Sequence, residues 1–154
     1  MKRRSAVTGL AGCAGLIPGS RHYVAVSPRE AAVLNGAALD VFPDDVRRDP
    51  TRYTKTLVAW AGIVRSYEMR TEDGSLVIRF DVEHRYFDWI EDSGVQLERY
   101  FLSPRGEGMF RAAWAMPLEM RDTIAKQLHT GDMLVVYGIP SEVRNDVVAL
   151  YPTE

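Results

Sequence analysis

This sequence predicts an all-β domain with one or two helices, folded as a small five-stranded Greek-key barrel. Three observations carry that expectation. Residues 75–83 (SLVIRFDVE) alternate apolar and polar side chains, residues 57–67 (LVAWAGIVRSY) form a longer, partly β-branched run interrupted by Gly62, and a helical signal precedes the last two apolar runs. At 154 residues, 46% hydrophobic and 26% charged, the chain fits one globular domain with short extensions. A formal charge of −2, from sixteen Arg and three Lys against the acids, gives no bulk attraction to nucleic acid. No stretch approaches the roughly 18–20 continuous apolar residues of a spanning helix. The single cysteine excludes an internal disulfide framework and a cysteine-rich zinc site.

The elements follow in chain order. Ser27 as N-cap, Pro28 at the first helical position and Glu30 as capping-box partner open a short helix that Asn35-Gly36 closes. Phe42-Pro43-Asp44-Asp45 and Asp49-Pro50 then break regular patterning, so the folded core is expected to begin near Tyr53. The first strand, 57–67, has Gly62 where it bends most tightly, and Glu72-Asp73-Gly74 turns it into the second, 75–83. Leu76, Ile78, Phe80 and Val82 share one face of the second strand. A third strand is expected over 95–102, with 109–116 (MFRAAWAM) either continuing it after a bend or forming an extra strand. Pro117 opens a helix with Leu118, Ile124, Ala125 and Leu128 on one side and Gly131 as its stop. Strands at 132–139 and 146–151, joined by a turn around Arg144 and Asn145, complete the set.

Three strands, a helix, then two strands is the plan of the OB-fold. Residues 56–64 (TLVAWAGIV) and 131–138 (GDMLVVYG) resemble OB strands one and four. Another small barrel, or an α+β sandwich with the same strand count, remains the alternative.

The N-terminus carries an address. Lys2, Arg3 and Arg4 precede the uncharged stretch 5–12 (SAVTGLAG), and Leu10-Ala11-Gly12-Cys13 follows secretory signal grammar. That tetrapeptide resembles the lipobox of bacterial lipoproteins. The resemblance implies cleavage between Gly12 and Cys13, lipidation of the Cys13 thiol, and loss of three positive charges, taking the formal charge from −2 to about −5. Ala14 after the cysteine implies the outer membrane, with the domain facing the periplasm. The organisation expected is thus a signal peptide at 1–12, a lipidated cysteine, tether and short helix at 13–50, and the barrel at 51–154. A longer resemblance joins the lipobox to 53–62 (YTKTLVAWAG), Gly108-Met109-Phe110, 131–138 and the closing Tyr151-Pro152. Together these resemble the Slp family of bacterial outer-membrane lipoproteins. Here Ala61 precedes Gly62 where that family has paired glycines, and Met109 replaces the arginine of its Gly-Arg-Phe element.

Signals for chemistry are few. His22, His84 and His129 are far apart without metalloprotease spacing, and each reads as a surface or structural histidine. No nucleophile elbow, phosphate loop or dinucleotide fingerprint occurs, so neither an enzyme nor a cofactor or metal site is expected. The densest polar and aromatic segment is 83–92 (EHRYFDWIED). It is either a solvated strand end, a recognition surface built on Arg85, Tyr86, Phe87 and Trp89, or a hard-cation site of Asp88, Glu91 and Asp92. Arg79, Arg99, Arg105 and Arg111 with Tyr86 and Tyr100 could line a single-strand groove, but Asp81, Glu83 and Glu98 alternate with them. The expected function is a non-catalytic envelope lipoprotein, membrane-bound through its lipid and binding a protein or envelope component. A cytosolic single-strand-binding module is the alternative.

Overall fold

The computed structural model describes residue 25 and residues 27–88 and 101–152. The expectations for Gly12, Cys13, Trp89, Glu91, Asp92, Arg99 and Tyr100 lie outside those residues. Helix α1 (Pro28–Gly36) leads, with Ser27 accepting from the Glu30 amide at 3.1 Å. Then come α2 (Pro43–Arg48), a 3-10 turn (Pro50–Tyr53), and strands β1 (Val58–Glu72) and β2 (Ser75–Arg85). A two-residue pair, β3 (Phe87–Asp88) and β4 (Phe101–Leu102), precedes β5 (Met109–Pro117). A 3-10 turn (Leu118–Met120), α3 (Arg121–Gln127), β6 (Met133–Arg144) and β7 (Val147–Pro152) complete the chain.

Five strands close a barrel in the order β1-β2-β5-β7-β6. All neighbours are antiparallel except β5 and β7, which run parallel. A parallel third and fifth strand, with the helix between strands three and four, is OB topology, and the domain is an OB-like Greek-key barrel. Both hairpins turn on two residues with positive φ, Asp73 (50°) and Gly74 (79°), then Asn145 (49°) and Asp146 (61°). Their twist matches that of the flanking strands.

Burial along β2 alternates strictly, placing Leu76, Ile78, Phe80 and Val82 in the core as the period-2 pattern requires. β1 is buried at its start and exposed beyond Val64, where a register shift between Val64 and Ser66 leaves Arg65 unpaired. The irregularity therefore sits three residues beyond Gly62. The glycine serves close approach instead: a Cβ on Gly62 would lie 2.4 Å from the Glu83 carbonyl oxygen and 2.6 Å from Val82 Cγ1.

Two expectations need correction. The third barrel strand is β5, and of the segment 95–102 the described part, β4, pairs only with β3. The core also starts upstream of Tyr53. Phe42-Pro43-Asp44-Asp45 opens α2, with Pro43 in the first turn and the Asp45 carboxylate accepting from the Phe42 amide at 3.0 Å. Val46 is 1% exposed within the core cluster, and the Trp60 indole donates to the Val41 carbonyl at 2.8 Å. Six residues are too few for periodicity to reveal, so the prolines dominated the sequence signal. Val46→Ala is expected to lower stability by about 1–3 kcal/mol, read as a reduced urea midpoint at unchanged slope.

Candidate functional site

The alternation of β2 continues one step past Val82, and that step buries His84 to 2% exposure. Its ring sits edge-on to Tyr86, Phe42, Trp60 and Phe110, with centroids 5.3 to 6.5 Å away. The incoming chain wraps it closely. The His84 amide donates to the Gly108 carbonyl at 2.7 Å, and His84 Nδ1 accepts from the Glu107 amide at 3.1 Å. Gly106 passes so near that a Cβ there would lie 1.7 Å from the His84 carbonyl oxygen. Burial, and then the nearby Arg47 guanidinium, lower the His84 pKa to about 4, against a smaller opposing pull from Asp44. The ring is neutral at neutral pH, a structural histidine as the sequence implies. Extending the period of Leu76, Ile78, Phe80 and Val82 by two residues was the signal that could have located it.

Glu107 binds this corner together. It accepts from the Tyr86 hydroxyl at 2.7 Å and from the Asp44 amide at 2.9 Å, and the first of these bonds raises the Tyr86 pKa. Arg47 crosses from α2 to the Met109 carbonyl at 3.1 Å and the Asp146 carbonyl at 2.5 Å.

Beside this corner a cavity of about 400 Å3 opens over the outer face of β1. Three of the four residues expected to form a recognition surface, Arg85, Tyr86 and Phe87, line it. Arg85 hydrogen-bonds the Pro104 carbonyl, pairs with Glu83 at 2.5 Å, and keeps its Nε buried without a partner. Tyr86 is packed edge-to-face against Phe42, centroids 5.3 Å apart, so it is a wall of the site and not a free stacking platform.

A second concavity, about 1270 Å3, lies between β5 and β6. β7 fills the space between these strands only in part: it pairs with β5 at Phe110–Ala112 and with β6 from Gly138 onward. Among the described residues, no strand covers the facing edges of 113–117 and 133–136. Ile78, Phe80, Leu134, Val136, Ile124 and Leu128 face this slot. Trp114 pairs with Ile78 in the inward register yet stays 49% exposed. α3, seven residues long with none fully buried, is too short to plug the opening.

The outer face of β1, β2 and β5 is a lattice of ion pairs. Arg79 meets Glu72 at 2.8 Å, Arg111 meets Asp81 at 2.9 Å, Arg70 meets Glu68 at 2.5 Å, and Arg65 pairs with Glu83. Of the arginines considered for a single-strand groove, Arg79 and Arg111 already face carboxylates, so this face has little net charge, while the exposed Arg105 makes no ion pair among the described residues. Among the described residues, no cluster of three or more His, Cys, Asp or Glu is placed to hold a metal, and no helix is long and apolar enough to cross a membrane.

The sequence matches no protein-family model and no curated protein. Among solved structures, the small single-stranded DNA-binding protein from Streptomyces coelicolor is similar at 15% identity. The match covers 64% of this chain and 89% of that one, with a TM-score of 0.41.

Proposed function

We propose that this protein is a non-catalytic binding module of the bacterial envelope, carried on a lipid at Cys13, whose barrel takes up an extended segment of a protein partner. The observation that carries the binding half is the slot between β5 and β6. Two facing strand edges, 113–117 and 133–136, which no strand pairs among the described residues, over an apolar floor, suit strand addition. The half-exposed Trp114 offers a large apolar contact at the rim. The address rests on Leu10-Ala11-Gly12-Cys13 behind its basic cluster. A diacyl unit with an added N-acyl chain exceeds the two chains needed for stable anchoring.

The test is labelling with a clickable fatty acid in a bacterial host, combined with a photo-crosslinking residue at position 115. Wild type is expected to incorporate label and fractionate with membranes, and Cys13→Ala to lose both. The crosslinker should trap one discrete protein, whereas the same group at Glu68, on the ion-paired face, should not. Unlabelled soluble wild type overturns the address, and equal crosslinking at both positions overturns the slot.

The OB plan itself favours a second reading, single-stranded nucleic-acid binding. Under that reading, a labelled oligothymidine would bind, and its affinity would fall steeply with salt.

A further inference from the structure

The cavity over β1 has a polar inventory that points to a ligand independent of the slot. We propose that it binds a small amphipathic monocarboxylate. The apolar side of the cavity is formed by Leu34 and Leu39 from the α1 region, Phe42, and the outer-face residues Ala59, Ala61 and Val135. Alanines at two successive outward positions of β1 leave the space that larger residues would fill.

Each polar group on the wall is either a donor or already satisfied. The hydroxyls of Tyr86 and Tyr137 donate to Glu107 and Glu30, at 2.7 and 2.8 Å. His84 accepts through Nδ1, which fixes its proton on Nε2, and that N–H has no acceptor among the described residues. Ser103, 6% exposed, receives the Arg105 amide on its oxygen at 3.2 Å and keeps its own hydroxyl proton to give. Arg85 is held by Glu83 and the Pro104 carbonyl with its Nε buried, whereas the exposed Arg105 guanidinium makes no ion pair among the described residues. Among the described residues, no Asp or Glu lines the cavity. One guanidinium free of ion pairs, that of Arg105, and two neutral donors, with no carboxylate on the described wall, recognise an acceptor-only group. A planar carboxylate suits the fork geometry of arginine. The volume, about 400 Å3, lies within the range of small-molecule sites, roughly 300–1,000 Å3. It accommodates a short alkyl chain or an aromatic ring behind the acid group. The carboxylate sits against Arg105, and the apolar body lies against Ala59, Ala61 and Val135.

Isothermal titration of the full chain with octanoate tests this, with 1-octanol as the uncharged match. Saturable octanoate binding is expected, at least tenfold tighter than octanol. Arg105→Gln should weaken octanoate at least tenfold while leaving octanol unchanged, because Arg105 is exposed and makes no ion pair that would alter folding. Ala59→Phe should abolish binding of both by filling the cavity from β1, with an unchanged thermal midpoint confirming that the barrel is intact. Equal affinity for acid and alcohol, no saturable octanoate binding by folded protein, or an Arg105→Gln variant that binds like wild type would each overturn the proposal. None of these readouts depends on the lipid or the slot.

Discussion

Trp60→Ala is expected to lower stability by about 3–5 kcal/mol, a large share of the roughly 5–15 kcal/mol that holds a domain of this size. Trp60 is 1% exposed and packs edge-to-face on Phe110, centroids 5.3 Å apart. Its indole N–H is also the hydrogen bond, at 2.8 Å, that ties the chain before α2 to the barrel. The alanine variant opens a cavity, leaves the Val41 carbonyl without that donor, and releases the 41–46 segment that brings Val46 into the core. Urea unfolding measures this, with Trp60→Phe as the partial case. Phenylalanine restores most of the packing but not the hydrogen bond, so the loss should shrink to about 1–2 kcal/mol. Trp114→Ala is the contrast. With half its surface already in water, that residue should cost under about 1 kcal/mol.

The second large effect is on the pH dependence of stability. His84 has a folded pKa lowered to about 4, while the unfolded chain takes up that proton near 6.5. Between those values the unfolded state binds more protons than the folded one, so stability falls as the pH is lowered from 6.5 toward 4. Below the folded pKa this contribution levels off. The group should account for a loss of about 2–3 kcal/mol across that window. The readout is the difference between wild type and His84→Gln in urea unfolding at several pH values, which cancels contributions common to both. Glutamine keeps an acceptor for the Glu107 amide and carries no titrating proton. The difference should widen steadily from pH 7 to pH 4 in favour of the variant's flatter profile. Parallel profiles would show that His84 does not titrate in this way.

What could be read from the sequence divides by the length over which a physical signal accumulates. β2 was legible because four core residues recur at period two, and α1 because Ser27, Pro28 and Glu30 act within one turn. The two-residue turns at Asp73-Gly74 and Asn145-Asp146 announce themselves by residue type. α2 was missed because six residues carry cap signals that look like loop signals when no apolar stripe follows. The third strand was misplaced because 109–117 mixes alanines with one tryptophan, so its face cannot be told from its order. Of the recognition residues, Arg85, Tyr86 and Phe87 do converge on one cavity, but the walls opposite them come from α1, β1 and β6. Sequence proximity could supply one wall only. The same holds for Arg79 and Arg111, whose neutralising partners Glu72 and Asp81 include a cross-strand acid found only through register.

The parallel join between β5 and β7 spans just three residue pairs, Phe110–Ala112 against Val148–Leu150. It links chain segments separated by a whole helix and strand, whereas the neighbouring β6–β7 hairpin closes locally. Three residue pairs is the fewest of the barrel's five joins, so this seam is the first to part. When it parts, the barrel becomes an open curled sheet whose two new borders carry Phe110 and Val148, both fully buried until then. Those borders can then pair with the borders of another opened molecule. The few contacts at Phe110–Ala112 therefore guard the protein against aggregation as well as completing its shape.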